Sequence, residues 1–208
     1  MEVDLTKLTP DIRRLNDMRD VIYDKQWLKN ASDSDVELYY MYRGVEEKNG
    51  LRYDITVIPP AFLGSEFVKT KGHYHIGAYP ELYMVLEGQA LYLLQKRNAK
   101  GEVEDVFSVC VKKGQCAVMP PFYGHVTINP SETQDLKMAN WISDNCKSDY
   151  SNFEKLQGAC YYYVAGPASA KGSGEAQWIK NENYKSAPEL RFEEPLKSIP
   201  QDLSFLKN

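Results

Sequence analysis

Three histidines are all that this chain of 208 residues contains, and two of them lie close together. His73 and His75 are separated by one residue, so in an extended segment both imidazole rings leave the same face. Glu81 opens the next predicted strand after a loop, and His125 lies at the mouth of a later strand. Three neutral imidazoles and one carboxylate form a ligand set for a first-row transition metal. The spacing therefore predicts a metal site that uses every histidine of the protein.

Short strands at close intervals must carry these four side chains. Runs rich in β-branched and aromatic residues are bounded by Gly, Pro and Asn, and Asn49-Gly50 favours a tight hairpin. The predicted strands cover residues 36–42, 51–58, 82–86, 90–95, 103–111, 115–119, 126–128 and 138–142. This pattern is typical of an all-β sandwich or barrel.

The segments on either side of these strands are predicted to be peripheral. Near the N-terminus, Thr9 would cap a helix that begins at Pro10, and apolar residues recur at helical spacing from Ile12 to Ile22. After residue 150 we expect a helical turn, a strand near 159–164 and a returning strand over 175–180, joined by a small-residue loop at 168–174. We therefore expect one domain with a core over 36–165, a helical extension over 1–35 and a peripheral segment over 166–208.

Composition excludes several classes of protein. The chain has 25 basic and 29 acidic residues, a net charge of −4, which disfavours binding to nucleic acid or to a membrane surface. No apolar run approaches the roughly 20 residues of a spanning helix, and the first residues have no signal-peptide pattern, so we expect a cytoplasmic protein. The four cysteines form no CxxC pair, and we expect buried, reduced thiols.

Two stretches around the histidines resemble the two motifs of the cupin superfamily. They are Gly72-His73-Tyr74-His75 with Glu81 and Gly88, and Gly114 with Pro120, His125 and Asn129. Phe122 departs from the second motif, which usually has glycine there. Cupins are small jelly-roll β-barrels, so the resemblance implies the same fold class as the strand pattern.

Longer segments narrow the resemblance to the cupin-type glucose-6-phosphate isomerases. The similar segments are 53–60, 66–75, 81–83, 120–129 and 149–150, within a resemblance that spans about 36–165. This family implies that His73, His75, Glu81 and His125 bind one divalent metal ion. It suggests iron(II), with manganese, zinc or nickel as alternatives.

The resemblance also implies the residues that contact the substrate. Thr56, Thr70, Gly72 and Tyr150 would surround the sugar phosphate, and Tyr83 would line the pocket, although it could equally fill the core. Thr70 and Gly72 have the opposite parity to the two histidines, so a phosphate role for them requires irregular backbone before His73. Trp141 stands where the family has a tyrosine, and its indole nitrogen could still donate one hydrogen bond.

The implied reaction interconverts glucose 6-phosphate and fructose 6-phosphate. A metal would act as a Lewis acid on the two sugar oxygens, and Glu81 is the carboxylate available to move a proton between C1 and C2. A carboxylate held by a cation is a weaker base, so either Glu81 leaves the metal or hydrogen moves as a hydride. Sequence leaves both mechanisms open. We also expect a homodimer, as small cupins often pair.

Three other functions remain open at this stage. A cupin dioxygenase would use similar ligands, consume oxygen and have no need of Thr56 and Thr70. A non-catalytic sugar-phosphate-binding cupin would bind without turnover. A related isomerase could act on mannose 6-phosphate, which nothing in the residues excludes.

Overall fold

The computed structural model describes residues 3–31, 35–169 and 172–207, and strands are the commonest regular structure in them. The strands are β1 (Asp11–Arg14), β2 (Glu37–Lys48), β3 (Leu51–Ile58), β4 (Phe62–Leu63), β5 (Glu66–Phe67), β6 (Tyr74–His75), β7 (Glu81–Glu87), β8 (Gln89–Arg97), β9 (Val103–Lys112), β10 (Cys116–Met119), β11 (Tyr123–Ile128), β12 (Leu136–Ser143), β13 (Ser148–Asp149), β14 (Tyr161–Ser169), β15 (Gly172–Lys180) and β16 (Arg191–Glu193). The α-helices are α1 (Leu15–Met18), α2 (Lys25–Asn30) and α3 (Ser151–Lys155), and 3₁₀ turns lie at Leu5–Lys7, Arg19–Val21 and Ser204–Leu206.

Two sheets enclose the main core. The larger has the order β1-β2-β3-β12-β7-β10, and the smaller has the order β11-β8-β9-β16. Buried side chains from both sheets form one cluster, with Val85 and Met138 from the larger sheet and Tyr92, Leu94 and Val126 from the smaller. In the described residues the sheets remain separate and do not close into one hydrogen-bonded barrel. The prediction of an all-β fold is confirmed.

The hairpin that joins β2 to β3 follows the predicted turn. Asn49 and Gly50 both have positive φ angles, 56° and 77°, as a two-residue turn between twisted strands requires. Strand β3 then pairs with β12, and β12 pairs with β7. The three adjacent strands β3, β12 and β7 therefore carry Thr56, Asn140 and Glu81 on one sheet.

The N-terminal segment differs from the predicted helix. Residues Asp11–Arg14 form strand β1, which pairs antiparallel with β2, and the helices that follow are short. Apolar spacing alone does not identify an edge strand, because pairing with β2 satisfies the backbone groups that a helix would satisfy internally. The described residues of the 1–35 extension are therefore only partly helical, and Thr9 caps no helix among them.

The C-terminal segment contributes two strands to a separate sheet of order β15-β14-β5-β4 and one edge strand to the smaller of the two main sheets. β14 and β15 form a hairpin at the positions of the two predicted strands, and residues 168–169 and 172–174 of the expected loop belong to it, whereas 170 and 171 lie outside the described residues. β16, which the sequence pattern does not indicate, pairs parallel with β9. No helix in the described part of the chain is long and apolar enough to cross a bilayer.

Candidate metal centre

An isolated β-bridge holds two of the three histidines together. The amide of His73 donates to the carbonyl of His125 at 3.3 Å, and the amide of His125 donates to the carbonyl of His73 at 3.0 Å. The segment before His73 approaches β11 irregularly, since Gly72 has a φ of +81°. This irregular backbone brings both imidazoles to one place, with ring centroids 4.5 Å apart.

The four predicted ligands converge. One donor atom from each of His73, His75, Glu81 and His125 lies within 4.8 Å of the others. Glu81 contributes Oε2, which is 3.3 Å from Nε2 of His75 and 3.3 Å from Nε2 of His125. The His73 and His75 rings are also close, with centroids 5.3 Å apart.

Unpaired buried atoms show that this cluster fits a cation. Nε2 of His75, Oε2 of Glu81 and both ring nitrogens of His125 are buried and have no hydrogen-bond partner. Buried polar atoms are costly unless they bind something, and imidazole nitrogens with a carboxylate oxygen suit a first-row divalent metal. Nδ1 of His75 contacts the carbonyl of Tyr79 at 2.7 Å, which fixes the ring and leaves Nε2 for the metal.

The electrostatics of the cluster reflect the close packing of its members. Burial lowers the pKa of His73 well below its usual value, and the neighbouring His125 lowers it further. For His75, burial lowers the pKa, but contacts with Cys146 and Glu81 outweigh burial and raise it to about 10. Burial raises the pKa of Glu81, while the two imidazoles that face its carboxylate lower it more, so Glu81 stays ionised. Metal binding requires neutral imidazoles and would displace the His75 proton.

A pocket opens from the cluster between the two sheets. Besides His73, Glu81 and His125, the residues that line it are Tyr39, Met41, Arg43, Arg52, Asp54, Thr56, Thr70, Lys71, Gly72, Tyr83, Met138, Asn140, Ile142, Cys146, Ser148 and Tyr150. Five of the six residues predicted to contact substrate are in this set. Tyr150 approaches the metal cluster directly, with its ring centroid 5.5 Å from that of His73.

Thr70 and Gly72 line the same pocket as His73, although in a regular strand they would face away from it. The irregular backbone at Gly72 makes this possible, as the sequence predicts. The amide of Thr127 donates to the Thr70 hydroxyl at 2.9 Å, which anchors this side chain to β11. A Cβ added to Gly72 would lie 2.6 Å from Val126 and 2.7 Å from Phe153. Glycine is therefore required at 72 by packing as well as by the positive φ, and only its backbone is available to a ligand.

Trp141 is the exception among the predicted contacts. Its side chain packs against Tyr53, with ring centroids 4.9 Å apart, in a second apolar cluster on the other face of the sheet. Its neighbours Asn140 and Ile142 line the pocket instead. Because successive residues of a strand point to opposite faces, a residue flanked by these two cannot share their pocket. The placement of Trp141 at the phosphate is therefore corrected.

Sequence reasoning missed the charged wall of the pocket. Arg43, Arg52 and Asp54 lie on β2 and β3 and face the same cavity as Thr56. Arg52 and Asp54 share the parity of Thr56 on β3, so period two could have found them. Charged residues in a strand usually indicate a solvent-facing side, which hides this signal.

Sequence comparison identifies the relatives of this chain. A family model described as glucose-6-phosphate isomerase (GPI) matches residues 12–184. The glucose-6-phosphate isomerase of Thermococcus litoralis is 34% identical over 137 residues, 64% of this chain and 70% of that protein. That of Thermococcus gammatolerans is 35% identical over 147 residues, 69% of this chain and 75% of that protein. The Pyrococcus abyssi protein of the same name is 32% identical over 137 residues, 64% of this chain and 70% of that protein.

Solved structures are more distant. An oxalate oxidase in complex with glycolate aligns with a TM-score of 0.40 and 20% identity, over 49% of this chain and 46% of that one. A recombinant oxalate oxidase aligns with a TM-score of 0.44 and 17% identity, over 54% of this chain and 55% of that one. These TM-scores are too low to support an argument about function, which therefore rests on the sequence relatives.

Proposed function

This chain belongs to the glucose-6-phosphate isomerase family, and we propose that it interconverts glucose 6-phosphate and fructose 6-phosphate with one divalent metal ion. The observation that carries the proposal is the cluster of three histidines and Glu81, two of whose histidines line a pocket together with Thr56, Thr70 and Tyr150. A metal site supplies the chemistry for a carbonyl substrate, and the adjoining hydroxyl groups supply donors for a polar ligand.

His73, His75, Glu81 and His125 would hold the metal, for which we propose iron(II) as the first candidate. When bound there, the ion would polarise the oxygens on C1 and C2 of the sugar and stabilise negative charge on them. The residues of the chain itself orient the sugar and move the proton.

Glu81 is proposed as the base that transfers this proton. We assign the metal to Oε2, which lies 3.3 Å from Nε2 of His75 and of His125, and the proton transfer to the second oxygen of the same carboxylate. From glucose 6-phosphate, that oxygen would take the proton from C2 and return it to C1, while the hydroxyl proton on O2 passes to O1. Atoms and charge balance, and no oxidant is required. One carboxylate can thus serve the metal and the substrate without leaving the cluster.

Tyr83 is placed to position that carboxylate. Tyr83 lies two residues from Glu81 on β7 and lines the same pocket, and burial followed by the Glu81 charge raises the pKa of Tyr83 well above its usual value. A neutral phenol that donates to the second carboxylate oxygen would fix the direction of its lone pairs. Tyr83 therefore contributes through Glu81 as well as through the pocket wall.

The far end of the pocket is proposed to hold the sugar phosphate. Thr56 lies on β3, Thr70 and Gly72 lie in the segment before β6, and all three line the pocket together with Tyr150, whose ring centroid is 5.5 Å from that of His73. Hydroxyl and amide donors from these residues would fix the reacting carbons, which contributes to rate by orientation.

Product analysis tests the proposal. Protein supplied with iron(II), manganese(II) or zinc(II) is incubated with fructose 6-phosphate and separately with glucose 6-phosphate, and the sugar phosphates are resolved by chromatography while oxygen is monitored. We expect each substrate to yield the other, with no oxygen consumed. Mannose 6-phosphate as the sole product, oxygen uptake, or binding without turnover would each overturn the proposal.

A further inference from the structure

One buried carboxylate holds two arginines at the pocket wall. Asp54, whose side chain is only 4% exposed, accepts a hydrogen bond from the amide of Gly44 at 2.8 Å. Nε of Arg52 lies 2.9 Å and 3.0 Å from its two oxygens, and Nη1 of Arg43 lies 3.5 Å from Oδ2. Burying a carboxylate is costly unless it is paired, and two guanidinium groups with one amide meet that requirement.

The hydrogen bonds between Asp54 and Arg52 leave the two terminal nitrogens of the guanidinium group available. Asp54 engages only Nε, and within the described part of the chain neither terminal nitrogen of Arg52 has an acceptor. The side chain is 25% exposed and lines the same pocket as Glu81. A guanidinium held at Nε presents its two terminal nitrogens as a fixed fork, which matches the oxygens of a phosphate.

The other cations of the pocket are more fully engaged. Lys71 forms an ion pair with Glu154 at 2.6 Å, and Arg43 donates from Nε to Asp11 at 3.1 Å in addition to its contact with Asp54. Among the described residues, Arg52 contacts a single acidic side chain, Asp54, whose carboxylate it shares with Arg43. It is therefore the cation of this wall with the greatest unmet capacity for an anion.

Strand register places Arg52 within reach of a sugar bound at the metal cluster. Ile142 of β12 is the partner of Arg52 on one side and of Glu81 on the other, so two strand spacings, about 10 Å, separate the two backbones. Thr56, proposed above to contact phosphate, lies four residues from Arg52 on the same face of β3. Because Nε of Arg52 contacts Asp54, which lies between Arg52 and Thr56 on the same face, the guanidinium group is directed along β3 toward Thr56.

Charge on the lining favours an anionic ligand. The lining includes three basic side chains, Arg43, Arg52 and Lys71, against two acidic ones, Asp54 and Glu81. A divalent ion on the histidine cluster would add to that excess. A preorganised guanidinium makes charge-assisted hydrogen bonds to a phosphate that a free sugar cannot make.

We propose that Arg52, oriented by Asp54 and assisted by Arg43, selects for the phosphate of the substrate. This inference rests on the proposed function, because it takes a sugar phosphate as the ligand of this pocket. It adds a charged determinant to a site in which the expected phosphate contacts are hydroxyls and backbone amides. Arg52 is thus a specificity-determining residue of the pocket wall.

Calorimetric binding with the metal-loaded protein tests this inference separately from turnover. Wild type, Arg52→Lys, Arg52→Gln and the control Arg191→Gln are titrated with fructose 6-phosphate, fructose and inorganic phosphate. Arg191 is a matched control because it also pairs with an aspartate, Asp105, but lies on β16 outside the pocket. Thermal unfolding of each variant checks the fold.

We expect Arg52→Gln to weaken binding of fructose 6-phosphate and of phosphate by about ten- to a hundredfold, the range of a charge-assisted hydrogen-bond pair. Arg52→Lys should lose less, because it keeps the charge without the fork, and Arg191→Gln should bind like wild type. Binding of fructose should not change. Equal affinity of wild type and Arg52→Gln for fructose 6-phosphate, or an equal loss for fructose, would overturn the inference.

The experiments distinguish failure of the isomerase proposal from failure of the inference about Arg52. A protein that binds fructose 6-phosphate through Arg52 but never converts it would refute the isomerase proposal and retain the phosphate contact. A protein that isomerises with unaltered KM in Arg52→Gln would retain the isomerase and refute this role of Arg52.

Discussion

His73 and His125 exchange two backbone hydrogen bonds, although neither the spacing between them nor a regular sheet requires it. The bridge fixes the separation of the two backbones, and the imidazoles follow with centroids 4.5 Å apart. A ligand pair on a shared bridge needs little reorganisation to bind an ion. This bridge and the Gly72 turn before it are the structural basis of the candidate site.

Gly72→Ala is expected to destabilise the fold and weaken metal binding. The alanine would have to adopt the unfavourable positive φ of Gly72, and its Cβ would lie within 2.7 Å of Val126 and Phe153. Strain and overpacking together predict a loss of about 2–4 kcal/mol in the free energy of unfolding, measured with urea. Metal titration should show weaker binding, because His73 must move.

Gly101→Ala separates the two causes. Gly101 has a φ of +80°, but nothing lies within 4 Å of an added Cβ. Strain alone predicts a loss of about 1 kcal/mol there, with metal binding unaltered. If Gly72→Ala were no worse than Gly101→Ala, close packing around Gly72 would not matter to the site.

Glu81→Gln is expected to reduce turnover at least a hundredfold, since the amide cannot accept a proton from carbon. Initial rates with fructose 6-phosphate measure the loss, and circular dichroism with thermal unfolding checks the fold. Glu87→Gln is the control, because Glu87 ends the same strand but is exposed. Undiminished activity in Glu81→Gln would remove this carboxylate from the mechanism.

Thr56→Val is expected to raise KM for fructose 6-phosphate by about three- to tenfold, the range for one lost neutral hydrogen bond. The valine keeps the shape and the buried position of Thr56, so kcat should change less than KM. Thr133→Val, on an exposed loop, should behave as wild type. A KM equal to that of wild type would withdraw the proposed phosphate contact.

Stability is expected to fall with rising pH above about 10, in part because of Tyr184. Its hydroxyl donates to the carbonyl of Gly158 at 2.9 Å and accepts from Gln95 at 3.1 Å, and burial raises its pKa in the folded protein. The unfolded tyrosine ionises near pH 10. Above that pH the unfolded state binds fewer protons than the folded state, so the free energy of unfolding decreases.

Tyr184→Phe tests this sign. Urea unfolding from pH 8 to 11.5 should show a variant that is about 1–2 kcal/mol less stable at pH 8, through the lost hydrogen bonds, but declines less steeply above pH 10. Parallel curves for the variant and wild type would assign the alkaline loss to other groups.

Residue types predicted the ligand set, but not the means by which the set assembles. His73, His75, Glu81 and His125 could be nominated because all the histidines fall beside two strand starts. Their convergence depends on the bridge between His73 and His125, a long-range contact that local pattern does not encode. The family resemblance implies a phosphate contact for Gly72, and the structure shows in addition a tight packing requirement at the same residue.

Two errors have physical causes. Residues 11–14 have apolar spacing compatible with a helix, yet they complete the edge of a sheet through long-range pairing with β2. The family resemblance places Trp141 at the position of a tyrosine, but strand parity turns its side chain to the opposite face of the sheet. Arg52 went unnoticed because a charged residue in a strand suggests solvent, and only the buried Asp54 partner shows otherwise.

Turnover of metal-stripped protein most directly tests the central claim that this pocket isomerises a sugar phosphate with a divalent ion. The protein is treated with a chelator, dialysed, and assayed with fructose 6-phosphate before and after addition of iron(II), manganese(II) or zinc(II), with bound metal quantified in each sample. We predict that activity disappears on stripping and returns in proportion to bound metal, up to one ion per chain. Full activity in protein shown to hold no metal, or no activity in protein restored to one ion per chain, would contradict it.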